Sequence, residues 1–309
     1  MPAPAARRRS TAWRCSGSRT RRSTRLVERA MLADAHIHLF RRGLTGGLAE
    51  GAELRGYLEL AARHRIDRAL VVAFEGVPET QGNSEEVLAV AAEHPWLFPT
   101  AYLDLAAPPP PGALTALVDR GFAGFSLYPS HESALLDGLT AGHRRELDEA
   151  GRVLSLNVPG EDLAPVAAFA RALPRVTILL SHLGGDYGRP DRLPPGFGEL
   201  VQLPNVLVKL SGLYALDPVY PHAGVADRVA ATIDAVGPDR LVWGSDYAPV
   251  LSRLGEAEVF GVPDWLGERL SAAELRRVLH DTLAELLDGS GPLGAPRDGA
   301  DSVRHDNFG

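Results

Sequence analysis

Apolar residues in this chain alternate between two patterns. Short continuous runs read as buried strands, and between them apolar positions recur every three or four residues, the helical spacing. The runs predict strands over Ala33–Leu39, Ile66–Phe74, Leu97–Leu105, Phe122–Leu127, Arg152–Asn157, Val176–His182, Asn205–Ser211 and Arg240–Ser245. Helices are predicted over Glu53–His64, Asn83–His94, the stretch after Pro111 to Arg120, Thr140–Ala150, Asp162–Leu173, Ala223–Val236 and Ser271–Leu287. Asn83 reads as an N-cap, with Glu85 and Glu86 in the first turn where the helix dipole favours acids. Gly151 is placed to end a helix in the left-handed region. Ser271 and Glu274 have capping-box spacing, and Pro165 is tolerable in a first helical turn. The segment from Gly184 to Pro195 is too rich in Gly, Pro and Arg for a core element.

Eight strands alternating with helices over about 250 residues predict an α/β fold, a (β/α)8 TIM barrel forming a single domain over 31–288. Strands apolar on both faces fit a parallel sheet covered by helices. A doubly wound open sheet is the rival. It usually carries a glycine-rich turn after its first strand, and here that strand ends in HIHLF.

In such a barrel, chemistry sits at the C-terminal ends of the strands. Those ends are polar here: His36 and His38 on the first, Ser126 and Tyr128 on the fourth, Asn157 on the fifth, His182 on the sixth, Lys209 and Ser211 on the seventh, Asp246 after the eighth. Side chains two apart on a strand share a face. His36 and His38 are then neighbours roughly 6.6 Å apart along the chain, and Asp34 is expected on the same face. Two imidazoles with one carboxylate leave an open position for water, the layout of a catalytic zinc site. Taken singly, His182 could cap a strand and Asp246 could be a turn residue. Lys209 could bind a substrate carboxylate or pair with an acid. Arg41 and Arg42, in the loop after the first strand, could bind a carboxylate or simply be solvated. Tyr128, Tyr214 and Tyr247 follow strand ends, where rim packing competes with pocket lining.

Charge changes the picture at one end. Residues 1–30 hold nine Arg and one Glu, so the rest of the chain carries −15 of the overall −7. The acidic body is unlike a nucleic-acid binder. The basic stretch is read as an extension upstream of a start at Met31, against a transit peptide or a nucleic-acid arm, and is expected to be disordered. Residues 289–309 are expected to be a flexible tail. Cys15 is the single cysteine, so no intrachain disulfide forms, in keeping with a reducing, cytoplasmic setting. No apolar run reaches membrane-spanning length.

The segments HIH, LLSHLGG, PNVLVKLSGLY and VWGSDYAP together resemble the amidohydrolase superfamily. More narrowly, they are similar to the amidohydrolase-related (amidohydrolase 2) branch of sugar lactonases, 2-pyrone-4,6-dicarboxylate lactonase and aminocarboxymuconate-semialdehyde decarboxylase. The resemblance spans about Met31 to Leu287. It implies a hydrolase that opens a lactone or related cyclic ester with activated water. It also implies one divalent metal, zinc by preference, on His36, His38 and Asp246, with Asp246 and His182 catalytic. Asn157, Tyr128, Lys209, Ser211 and Arg41 are the candidate substrate-binding residues. The sequence departs from the branch at two points. Many metal-dependent relatives end the fifth strand in His, where Asn157 stands, and no carboxylated lysine is available on the fourth strand. A two-metal centre is therefore not expected. The branch's pyrone lactonase works without metal, and in that chemistry Asp246 is the general base while the histidines hold the substrate. A metal-dependent decarboxylase and an inactive barrel kept for binding are the alternatives. The expected partner is a small molecule, with neither nucleic acid nor membrane. A homo-oligomer is compatible, since relatives assemble, but nothing in the chain sets a number.

Overall fold

The computed structural model describes residues 31–110 and 112–289. The expectations for residues 1–30 and 290–309 lie outside the described residues. Eight strands are present: β1 Leu32–Ile37, β2 Ile66–Val71, β3 Leu97–Tyr102, β4 Gly124–Leu127, β5 Val153–Leu156, β6 Thr177–Leu180, β7 Val206–Leu210 and β8 Leu241–Trp243. Each pairs in parallel with the next, in the order β1 to β8. Beyond β8 the chain returns to β1. Asp246 N–H donates to the His36 carbonyl at 2.9 Å, and His38 N–H donates to the Tyr247 carbonyl at 2.5 Å. Ile37 and Tyr247 form a parallel bridge there. The protein is a nearly closed TIM barrel.

Seven helical segments flank the strands: α1 Ala52–His64, α2 Asn83–Glu93, α3 Ala113–Asp119, α4 Ala141–Ala150, α5 Ala164–Arg171, α6 Ala226–Val236 and α7 Ala272–Leu287, with shorter turns between. Most strands are shorter than predicted: Asn157, His182 and Ser211 leave the ladder for the loops, β2 and β3 also give up apolar residues at their C-terminal ends, and β4 starts two residues late. Helix α7 is not continuous: Arg277–Asp281 widens into a π turn between two α segments. The expected caps at Gly151 (φ 57°) and at Ser271 with Glu274 are present. Asn83 is a correction. Gly82 is the N-cap of α2, and the fully buried Asn83 side chain instead donates to Leu39 O at 2.8 Å and accepts from Phe74 N–H at 3.1 Å. It ties together the exits of β1 and β2, where unpaired backbone groups would otherwise be buried.

Two apolar layers follow from strand alternation. Inside the barrel, Ala33, Ala35, Leu70, Val72, Val153, Leu179, Leu207 and Val242 pack with Leu283 of α7. The larger layer lies between strands and helices, around Ile37, Phe125, Phe169, Ile178 and Val208. The inward positions continue upward into Ser126, Ser155 and Lys209, all buried. The barrel is therefore apolar at its N-terminal end and polar at its C-terminal mouth. Among the described residues, no helix is long and apolar enough to cross a membrane.

Candidate active site

The site begins with an irregularity in β1. Asp34 pairs with Ala69 but Ile37 pairs with Val71, so three steps on one strand match two on the other. A bulge of this kind reverses which face the following side chains use. Ala33 and Ala35 point into the barrel below it, and His36 and His38 point into the barrel above it. The expectation that Asp34 shares their face is therefore overturned. Asp34 accepts from Tyr57 Oη at 3.2 Å, on α1 outside the barrel. It also accepts from Ser245 N (2.9 Å), Ser245 Oγ (2.6 Å) and His36 N (3.2 Å). Burial still pushes its carboxyl up to about 6, against the pull of these donors. Its place is structural: it staples β1 to the turn that delivers Asp246.

At the mouth, Nε2 of His36 and Nε2 of His38 lie 3.1 Å apart. Asp246 Oδ1 is 3.6 Å from the first and 3.9 Å from the second. A ligating atom of His182 lies within 4.8 Å of those of His36 and Asp246. The His182 and His36 rings pack at 4.7 Å between centroids. Four residues from three segments distant in sequence thus converge: the end of β1, the exit of β6 and the exit of β8.

Each is held from behind. His38 Nδ1–H donates to the Val72 carbonyl at 2.8 Å, which leaves its Nε2 lone pair facing Asp246. His182 Nδ1 is 3.0 Å from Ser211 Oγ. A Cβ on Gly212 would come within 2.4 Å of that same nitrogen, so only glycine lets the ring lie against this turn. Tyr214 Oη donates to Asp246 Oδ2 at 2.7 Å, leaving Oδ1 for the mouth. Lys209 Nζ is fully buried beneath His36, 3.1 Å from its Nδ1 and 2.7 Å from Ser155 Oγ. Burial lowers the pKa of all three histidines; Lys209 adds to this at each, while Asp246 opposes it at His38 and His182. They are neutral near pH 7, the state that accepts a proton or binds a metal. Burial also brings Lys209 down to about 7.

The remaining expected residues divide. Tyr128 sits in the mouth, edge-on to Phe74 at 4.9 Å, and its buried hydroxyl has no hydrogen-bond partner among the described residues. Asn157 follows β5, half-buried, with no side-chain partner among the described residues. Ser211 supports His182. Lys209 forms no ion pair with an acid among the described residues and lies fully buried below His36. Arg41 is not brought to the histidines. It pairs with Glu50 at 2.7 Å, both more than half exposed. Tyr247 packs on Tyr57 and donates to Glu53 O, as rim packing predicts. Tyr214, open in sequence between rim packing and pocket lining, holds Asp246, a role its place three residues after Ser211 can signal. Arg228 on α6 is fully buried, and nothing in a helical Arg signals that.

The family profile described as amidohydrolase matches residues 33–289. The chain belongs to the amidohydrolase family. Two curated relatives are similar to part of this amidohydrolase. It is 36% identical over 108 residues to an L-fucono-1,5-lactonase of Burkholderia ambifaria, covering 34% of this chain and 36% of the relative. It is 32% identical over 134 residues to an L-fucono-1,5-lactonase of Burkholderia multivorans, covering 35% and 45%. The matches therefore span less than half of either relative. Among solved structures, an amidohydrolase from B. multivorans with bound zinc superposes with a TM-score of 0.67 at 22% identity, over 84% of this chain and 99% of the other. A protein from Pseudomonas putida described as a 2-pyrone-4,6-dicarboxylic acid hydrolase gives 0.63 at 23%, over 84% and 98%. These structures share the barrel fold.

Proposed function

We propose that the chain is a hydrolase that opens a lactone or related cyclic ester. The observation that carries this reading is the one oxygen of buried Asp246 that Tyr214 leaves to the mouth. Tyr214 occupies Oδ2, and Oδ1 faces three neutral imidazoles in the mouth. A carboxylate held this way can take a proton from water that attacks the lactone carbonyl. With Ser211 Oγ–H donated to Nδ1, the His182 proton sits on Nε2 and can hydrogen-bond the carbonyl oxygen as charge builds there. The acyl–oxygen bond then breaks. The ring oxygen takes up the proton held by Asp246, and a hydroxy acid leaves.

The donor set fits one divalent cation, zinc by preference. Imidazole nitrogens and a carboxylate oxygen lie within a few ångströms, and the Val72 carbonyl fixes His38 in the ligating tautomer. His36 and Asp246 would hold the ion together with His38 or His182, and the zinc-bound neighbour supports that choice of metal. When bound, it would supply Lewis acidity at the mouth.

The lactonase relatives favour a neutral sugar-acid lactone over a dicarboxylate. So do the phenols near the mouth: Tyr214 on Asp246, Tyr187 beside the His182 ring at 6.5 Å, and Tyr128 edge-on to Phe74. A cytoplasmic location fits such a substrate. A panel of sugar 1,5-lactones beside 2-pyrone-4,6-dicarboxylate, read by pH indicator, tests the reading. Fastest turnover of the sugar lactones is expected, and no hydrolysis of any lactone above background would overturn it. Elemental analysis of protein purified without chelator tests the metal, with near-stoichiometric zinc expected and none found in active protein refuting it.

A further inference from the structure

The turn that carries His182 is held by a residue outside the mouth. His182, Leu183, Gly184, Gly185 and Asp186 all have positive φ, from 52° to 86°. Three of the five carry side chains, which disfavour that region. Such a run persists only where its surroundings over-determine it. Here one buried side chain supplies most of the hydrogen bonds to the carbonyls of the run. The fully buried guanidinium of Arg228 donates to the carbonyls of Leu183 at 3.0 Å, Asp186 and Arg189 each at 3.3 Å, and Gly185. On the other side of the turn, Asp186 N–H donates to the Pro159 carbonyl at 2.7 Å. A planar fork with five N–H donors can serve four carbonyls at once; an ammonium has three donors and one centre.

We infer that Arg228 is a positioning residue for His182, fixing the left-handed run so that the imidazole lies on Gly212 and faces His36 and Asp246. It touches no reacting group and acts through the backbone. Its effect on turnover rests on the lactonase reading; its effect on His182 geometry does not.

The test uses full-length Arg228→Lys, Arg228→Met, His182→Asn and the double variants. Each Arg228 substitution is expected to lower kcat by about a hundredfold, the scale of a misplacement near 1 Å, with KM within about twofold. In the His182→Asn background the same substitutions should cost nothing further. Losses that simply add overturn the inference. Where Arg228→Met fails to fold, Arg228→Lys keeps the charge and carries the test. A second readout needs no turnover. Imidazole 1H–15N spectra should show one tautomer for His182, assigned by its loss in His182→Asn, and an averaged or doubled signal in Arg228→Lys. An unchanged His182 signal in a folded Arg228 variant overturns the inference. A shifted signal in a protein that hydrolyses no lactone upholds it and refutes only the proposed reaction.

Discussion

Replacing Lys209 by Met tests the electrostatics of the barrel interior. Lys209 has no exposed surface, and among the described residues its Nζ meets Ser155 Oγ and His36 Nδ1. Moving its pKa from 10.5 to about 7 means that the protonated form costs the fold roughly 4–5 kcal/mol, at about 1.36 kcal/mol per pH unit. The unfolded chain holds this proton up to about pH 10.5, and the folded chain releases it near pH 7. Between those values the unfolded state binds more protons, so wild-type stability rises with pH. The contribution is full above pH 10.5 and gone once pH falls to about 7. Met has nearly the same length and no proton to lose. It leaves Ser155 and His36 short of a partner, at about 1–3 kcal/mol, but that loss does not change with pH in this range. The assay is urea unfolding of both proteins at pH 7.0 and 9.5. The advantage of the variant over wild type should shrink by roughly 3 kcal/mol between the two conditions. Titrations elsewhere cancel in the difference. A gap equal at both pH values to within about 0.5 kcal/mol, the error of such comparisons, would show that Lys209 titrates normally and refute the reasoning.

Other outcomes follow from the same geometry. Asp246→Asn should abolish lactone turnover with unchanged circular dichroism, and retention of most activity would defeat its role as base. Gly212→Ala places a methyl 2.4 Å from His182 Nδ1 and should cut kcat by about a hundredfold, which steady-state kinetics will show. Tyr128→Phe removes a buried hydroxyl that has no partner among the described residues; KM should rise while thermal stability holds or improves, since no hydrogen bond among them is lost. Ser271→Ala breaks the capping box of α7 far from the mouth and should cost about 1 kcal/mol of stability with kinetics unchanged.

Much of this protein is written in local pattern. Apolar runs over Ile66–Val71, Thr177–Leu180 and Val206–Leu210 could only be buried strands, and their alternation with helices left a barrel as the economical closure. The same regularity exposed the exceptions, because a His, Lys or Asp at the end of an apolar strand breaks the pattern visibly. What local pattern could not contain was the phase and the contacts. A bulge in β1 turns Asp34 outward and His36 inward, and bulges depend on pairing with the neighbouring strand. Asn83 looked like a cap because capping is a local preference, yet two distant loops claimed its side chain. Lys209 stood out at a strand end, but its place beneath His36 did not, and nothing local marked the burial of Arg228. Which side chains a residue meets across a barrel is set by the strand order and by chain closure. Both arise from contacts between residues far apart in the sequence, so they are absent from any short window of it.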